Sequence, residues 1–257
     1  MNPTQIAIAL WTLVHKEIKR FTRIWPQTLL PPSITMTMYF IIFGSLIGSR
    51  IGDMDGFSYM DFIVPGLIMM AVITNSYSNV ASSFFSNKFQ RSIEEMMVSP
   101  MPNWVILTGF VLGGMARGLG VGLIVTIVSL FFTRISMAHP LLTIVVVVLT
   151  SALFSIGGFI NALLADKFDD ISIVPTFILT PLTYLGGVFY SISMLPALWQ
   201  GVSMLNPILY MVNVFRYGFL GVSDIPVVWA LSAIVAFIVV LFGIALWMLE
   251  HGKGIRS

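Results

Sequence analysis

Apolar residues gather in six long runs, at about positions 29–48, 62–85, 105–132, 140–164, 172–190 and 227–249. An α-helix rises about 1.5 Å per residue, so roughly 20 residues cross a hydrocarbon core of about 30 Å. Each run meets or nearly meets that length, and the pattern predicts six transmembrane helices. Ahead of the first run the period changes. Ile6, Leu10, Val14, Ile18, Phe21 and Trp25 recur at helical spacing, while Lys16, Lys19, Arg20 and Arg23 lie mostly on the other side. This predicts a basic amphipathic helix in the cytoplasmic interface. A plain anchor that orients the first span would sit in the same place. The stretch 191–225 is too apolar for an ordinary loop, with Met194, Leu195, Leu198, Trp199, Val202, Met204 and Leu205 set between Pro196 and Pro207. Too interrupted to span, it predicts one or two short amphipathic helices at the outer face, or a re-entrant hairpin.

Composition agrees. Hydrophobic residues make up 57% of the 257 and charged residues 9%, where a soluble domain carries about 25% charged. Mean hydropathy is +0.95. The fold class is therefore all-α: one polytopic transmembrane domain over 1–257 with lipid as its main solvent. A formal charge of +2 with no long basic run is too small to argue for nucleic acid, and no nucleic-acid partner is expected. The chain has no cysteine, so disulfides and thiolate metal sites are out of reach. The apolar stretch 6–14 precedes its basic residues, the reverse of a cleavable signal.

Loop charge sets the orientation. With the N-terminus inside, Lys16, Lys19, Arg20, Arg23, Lys88, Arg91, Lys167, Lys253 and Arg256 are cytoplasmic, against Arg50, Arg134 and Arg216 outside. Arg117 remains, within the third run. Both termini are expected in the cytoplasm of a bacterial inner-membrane protein.

Soluble catalytic chemistry is missing. No G-x-x-x-x-G-K-[ST] loop precedes Gly252-Lys253, so the chain lacks this means of holding ATP. Neither a zinc motif nor a nucleophile elbow occurs, and His15, His139 and His251 are scattered. No catalytic or metal site is expected. The eleven acids, Glu17 and Asp55 among them, fall at predicted edges or loops. An ion-coupled secondary carrier usually needs a carboxylate within a span. A membrane-embedded enzyme or scaffold would cluster polar groups there, yet only Arg117 is ionisable. Arg117 is expected to face protein or a water-filled cavity, paired with Asp166.

Three patterns remain. The loop Asn87-Lys88-Phe89-Gln90-Arg91-Ser92-Ile93-Glu94-Glu95-Met96-Met97-Val98-Ser99-Pro100-Met101-Pro102 predicts a short helix. Ser92 would be its N-cap, Glu95 would complete a capping box, and the prolines would stop it. Ile93, Met96 and Met97 share one face, adaptable enough to meet a partner; an ordinary interfacial turn is the plainer account. In the second span Asn75, Ser78, Asn79, Ser82 and Ser86 recur at helical spacing, and either line a substrate path with Arg117 or bond between helices. In the third, Gly109, Gly113, Gly114, Gly118 and Gly122 suit close helix packing.

Phe62-Ile63-Val64-Pro65-Gly66 resembles the F-x-x-P-G start of the second span in ABC-2 transporter permeases. Ile93-Glu94-Glu95-Met96-Met97-Val98-Ser99-Pro100 resembles that family's L-E-x-L-x-V-S-P coupling segment. Tyr184-Leu185-Gly186-Gly187-Val188-Phe189, with Asn206-Pro207 and Arg216, resembles its C-terminal signature, although Ser191 stands where many relatives carry proline. The resemblance covers nearly the whole chain. It implies a homodimeric permease subunit working with two copies of a separate ABC ATPase, which binds ATP and Mg. This chain would carry no cofactor, touch membrane lipid, and dock the ATPase through a coupling helix at Ser92–Pro100. Substrates implied are drugs, lipids or oligosaccharides, moved by export.

Overall fold

Helix boundaries follow local signals. In the computed structural model, which describes residues 1–54, 56–134 and 137–254 apart from the side chains of Ser45 and Ser49, helix α1 spans Pro3–Arg23. Asn2 and Gln5 form its capping box, with the Asn2 N–H donating to Gln5 Oε1 at 2.9 Å. Asp55 and Arg256, both counted in the sequence reading, lie outside the described residues.

A turn of helix, α2 (Trp25–Thr28), leads into the first predicted span. That span is helical without a break over 30–51, as α3 (Leu30–Tyr39), a π-helical stretch (Phe40–Ile47) and α4 (Gly48–Ile51). Strands β1 (Asp53–Met54) and β2 (Phe57–Ser58) pair antiparallel, Asp53 opposite Ser58. The all-α reading did not foresee this small ribbon. Helix α5 (Tyr59–Phe89) starts at Ser58, whose Oγ accepts from the Asp61 N–H at 3.3 Å. Then come α6 (Ser92–Val98), α7 (Asn103–Ser129) and α8 (Pro140–Leu164), with Pro140 at the first turn.

The fifth predicted span is α9 (Asp170–Ile173), a π-helical stretch (Val174–Leu179) and α10 (Thr180–Tyr184). Pro175 and Pro181 offer no N–H to carbonyls behind them, and the hydrogen-bond ladder widens between them. This run ends at Tyr184 rather than at 190, because Gly187 turns the chain with φ 72°. Ser191 holds φ −80° and ψ 141°, a backbone that proline also adopts, so the bend survives without one. A 3₁₀ turn (Ile192–Met194), α11 (Ala197–Met204), α12 (Pro207–Leu220) and α13 (Val227–Glu250) complete the chain.

Among the described residues, α5, α7, α8 and α13 are each long and apolar enough to cross a membrane alone. Helix α5 is the hub: 78% of its most apolar window is buried, against 11% for α13. A helix that apolar and that exposed to its surroundings suits lipid. Of the two helices of the 191–225 segment, α11 keeps Leu198, Trp199 and Met204 exposed, while α12 is mostly buried and so is not the surface amphipathic helix expected there.

The glycines of α7 let its neighbours approach closely. Gly109 and Gly113 admit Leu13 and Glu17 of α1; a Cβ on Gly113 would stand 2.5 Å from the Glu17 Cβ. Gly114, Gly118 and Gly122 admit Ser76, Val80 and Val72 of α5. Helix α1 therefore packs on α7 along Leu13, Glu17 and Phe21. That line is rotated from the apolar stripe read in the sequence. Of that stripe Ile6, Leu10, Val14 and Ile18 are half-buried, Phe21 lies on the buried line, and Trp25, which belongs to α2, is exposed. Glu17, placed by its sequence position at an edge, is 0% exposed.

Candidate functional site

The loop helix α6 forms where predicted, but its start differs. The N-cap is Arg91, in the left-handed conformation at φ 59°, and no side chain caps the helix. Ser92 turns away, its hydroxyl donating to the Asn87 carbonyl and to Asn87 Oδ1, each at 3.1 Å. The expected Ser92–Glu95 capping box is therefore absent. Pro100 ends the helix as expected, with the Ser99 hydroxyl on the Met96 carbonyl at 2.6 Å.

The apolar face of α6 also points the other way. Ile93 is 1% exposed, and Met96 and Met97 pack with it against Phe84, Phe85 and Ile106 of the bundle. Its apolar side therefore roots this seven-residue helix in the bundle. What it presents outward is Glu94, Glu95, Pro100 and Val98, the last 88% exposed. Nearby, Phe89 and Phe168 are exposed and touch edge to face at 5.1 Å. Phe168 follows α8, whose final carbonyls receive the Lys88 ammonium: Leu163 at 2.9 Å and Ala165 at 2.5 Å. A cation at a helix C-terminus meets both the unpaired carbonyls and the negative end of the dipole. The two loops at this end of the bundle are thus held together.

The polar stripe of α5 divides between two surroundings. Asn75 and Asn79 are buried and bind cations: Arg117 Nη2 reaches Asn75 Oδ1 at 3.3 Å, and Arg20 Nη2 reaches Asn79 Oδ1 at 2.8 Å. Arg117 also donates to the Thr28 carbonyl at 3.3 Å. Its expected pairing with Asp166 is not formed. Asp166 instead turns its N–H to Asp170 Oδ2 at 2.9 Å. Ser78 and Ser82, one helical turn apart, line a cavity of about 270 Å³ with Ser172, Pro175 and Thr176 of the fifth predicted span.

Two polar groupings went unread in the sequence. Ser83 donates to Glu17 Oε2 at 2.6 Å, and Arg20 Nε stands 3.5 Å from the same oxygen. Lys16 Nζ reaches Asn87 Oδ1 at 3.0 Å. One signal was available: Leu13 and Glu17 share the four-residue spacing of Gly109 and Gly113, which receive them.

Away from α6, two distant motifs meet. Arg216 lies over the Phe62 ring at 3.8 Å and donates to the Gly187 carbonyl at 2.5 Å. A Cβ on Gly66 would fall 2.6 Å from the Val188 carbonyl oxygen. Asn206 caps α12 through the Ile208 N–H at 3.0 Å and donates to the Leu182 carbonyl at 2.5 Å.

Comparison with known proteins matches residues 8–220 to the family model described as ABC-2 type transporter. The chain is 60% identical over 250 residues to the inner membrane transport permease YadH of Escherichia coli (strain K12), covering 97% of this chain and 98% of that protein. It is 25% identical over 224 residues to nodulation protein J of Rhizobium meliloti (strain 1021), covering 83% and 82%. Nodulation protein J of Sinorhizobium fredii (strain NBRC 101917 / NGR234) is 24% identical over 206 residues, covering 80% and 79%.

Proposed function

The chain belongs to the ABC-2 type transporter family, and on that premise we propose that it is the permease of an ATP-driven exporter in a bacterial inner membrane. Two copies pair with two copies of a separate ABC ATPase, which binds ATP and Mg and hydrolyses the nucleotide. The observation that carries this reading is α6: a short helix rooted by Ile93, with Val98, Glu94 and Glu95 turned outward for a partner. The 60% identical relative, an inner membrane transport permease, supports the location. The substrate class is a drug, lipid or oligosaccharide.

Six spans follow when the helical runs 30–51 and 170–184 join α5, α7, α8 and α13. Both termini are then cytoplasmic, as the charge distribution favours. Reporter fusions after Arg23, between Lys88 and Arg91, and after Lys253 are each expected to report cytoplasm. A periplasmic signal at any of these sites breaks the topology.

Substrate is assigned to the side of α5 that carries Ser78 and Ser82, where hydroxyls border a cavity. Asn75, Asn79 and Arg117 are assigned to packing, because Asn75 Oδ1, Asn79 Oδ1 and Arg117 Nη2 already meet protein partners. Glu17 is the buried carboxylate that an ion-coupled carrier would need, but Ser83 and Arg20 already engage its Oε2.

Purification of the tagged chain from native membranes is expected to bring down an ABC ATPase, and transport is expected to stop when ATP is depleted. A chain that purifies without an ATPase and whose transport survives ATP depletion is a secondary carrier, not an exporter subunit.

A further inference from the structure

Helices α1 and α5 are joined by a ladder of polar contacts on one face of α5. Its rungs are Asn79, Ser83 and Asn87, spaced by four, and they meet Arg20, Glu17 and Lys16 of α1 at 2.8, 2.6 and 3.0 Å. Such spacing keeps successive rungs in line along a helix. The middle rung is sealed: Glu17 and Ser83 are both 0% exposed, and the bare backbone at Gly113 admits the Glu17 side chain at close range.

The last rung differs from the others. Asn87 Oδ1 accepts from Lys16 Nζ of α1 at 3.0 Å and from Ser92 Oγ of α6 at 3.1 Å. Its Nδ2 donates to the Ser83 carbonyl at 2.8 Å, which fixes the amide plane. One side chain thus joins three helices. An amide oxygen has two lone pairs, and here each has its own donor.

We propose that Asn87 is a positioning residue that ties the first residue of the coupling helix α6 to α1, so that the two helices move as one body. The motion in question rests on the exporter reading; the tie itself does not. When an ATPase moves α6, α1 is carried with it, and the ladder passes the movement to α7 through Leu13 and Glu17.

Because the chain has no cysteine, pairs of spin labels can be placed without background. Thr12→Cys on α1 with Glu94→Cys on α6 reports the tie, and Glu94→Cys with Glu250→Cys on α13 reports movement of α6 against the bundle. In proteoliposomes of the full chain alone, with labelled chains diluted into excess unlabelled cysteine-free chain, the first pair is expected to give one narrow distance population. Asn87→Leu should broaden or split it. Asn87→Asp should keep it narrow, because an acceptor remains for both Lys16 and Ser92. A narrow population in Asn87→Leu overturns the proposal. So does an Asn87→Asp variant as broad as Asn87→Leu, since only the bond to the Ser83 carbonyl would then matter. If Asn87→Leu fails to insert, Ser92→Ala removes the α6 arm alone and carries the same expectation. With labelled chains shown by pull-down to bind the ATPase as the unlabelled chain does, and with the ATPase, Mg-ATP and vanadate added, the second pair should shift while the first stays fixed. A shift in both pairs overturns the one-body motion. A shift in neither removes the exporter reading, and the proteoliposome result still decides the tie.

Discussion

Val98→Asp is expected to abolish ATPase co-purification while leaving the permease folded, and Ile93→Asp is expected to do the reverse damage. Val98 is 88% exposed and touches little of its own chain, so a carboxylate there remains hydrated in the free permease. Buried against a partner, the same charge would lose its water without gaining a counterion. Changes of that kind at the centre of an interface cost about 3 kcal/mol, on the order of a hundredfold in affinity. Ile93 is 1% exposed and sits among Phe84, Phe85 and Ile106. Its replacement would put an unpaired charge inside the bundle and strip α6 of its root. Size-exclusion profiles in detergent separate the two outcomes. The variant at 98 should elute as the parent does, without ATPase; the variant at 93 should aggregate or melt early. Normal ATPase recovery with Val98→Asp would show that α6 does not dock the partner. Reversing Glu94 or Glu95 to Arg should have a smaller effect, weakened by salt, because both lie at the rim.

Arg216→Leu should lower the melting temperature of the detergent-solubilised permease by about 10 °C, taking about 3 kcal/mol of lost stability at roughly 2–4 °C per kcal/mol. The guanidinium is 2% exposed, stacked on Phe62 and bonded to the Gly187 carbonyl. Leucine fills part of the volume but leaves a buried carbonyl oxygen with no donor. It also removes the cation over the ring. Arg216→Lys keeps the charge and loses the flat stack and the forked donors, so its loss should be intermediate. A leucine variant that melts with the parent would remove Arg216 from the contacts that hold α12 to α5.

Long apolar runs were the most legible feature of this chain. Every predicted span is helical over most of its length, since each such run satisfies its own backbone and suits lipid whatever its neighbours do. The ends that moved had local causes: Gly187 stopped the fifth run early, and α5 outran its apolar window at both ends. The short ribbon of β1 and β2 has only two residues a side, too few for a periodic signal.

The candidate site was half legible. Its helix could be placed from Pro100, Pro102 and the apolar spacing, but the facing of that helix could not. Ile93, Met96 and Met97 form an apolar face whether it meets a partner or the same chain, and only the position of Phe84 and Phe85 decides between them. The same holds for the polar stripe of α5. Asn75, Ser78, Asn79 and Ser82 look equivalent in a list, yet Arg20 and Arg117 take the first and third while a cavity takes the other two.

By itself, then, the sequence determined the helical class, the membrane solvent and the family, because hydropathy over 20 residues and ordered motifs are properties of the chain read in one dimension. Tertiary structure alone decided that Glu17 is buried, that Arg117 meets Asn75 rather than Asp166, and that Val98 is the outward apolar residue of α6. Each of those depends on which face of one helix meets which face of another, 42 to 89 residues away in the case of Arg117. Hydrogen bonds and packing act over a few ångströms, and the pattern within one helix does not say what lies across from it.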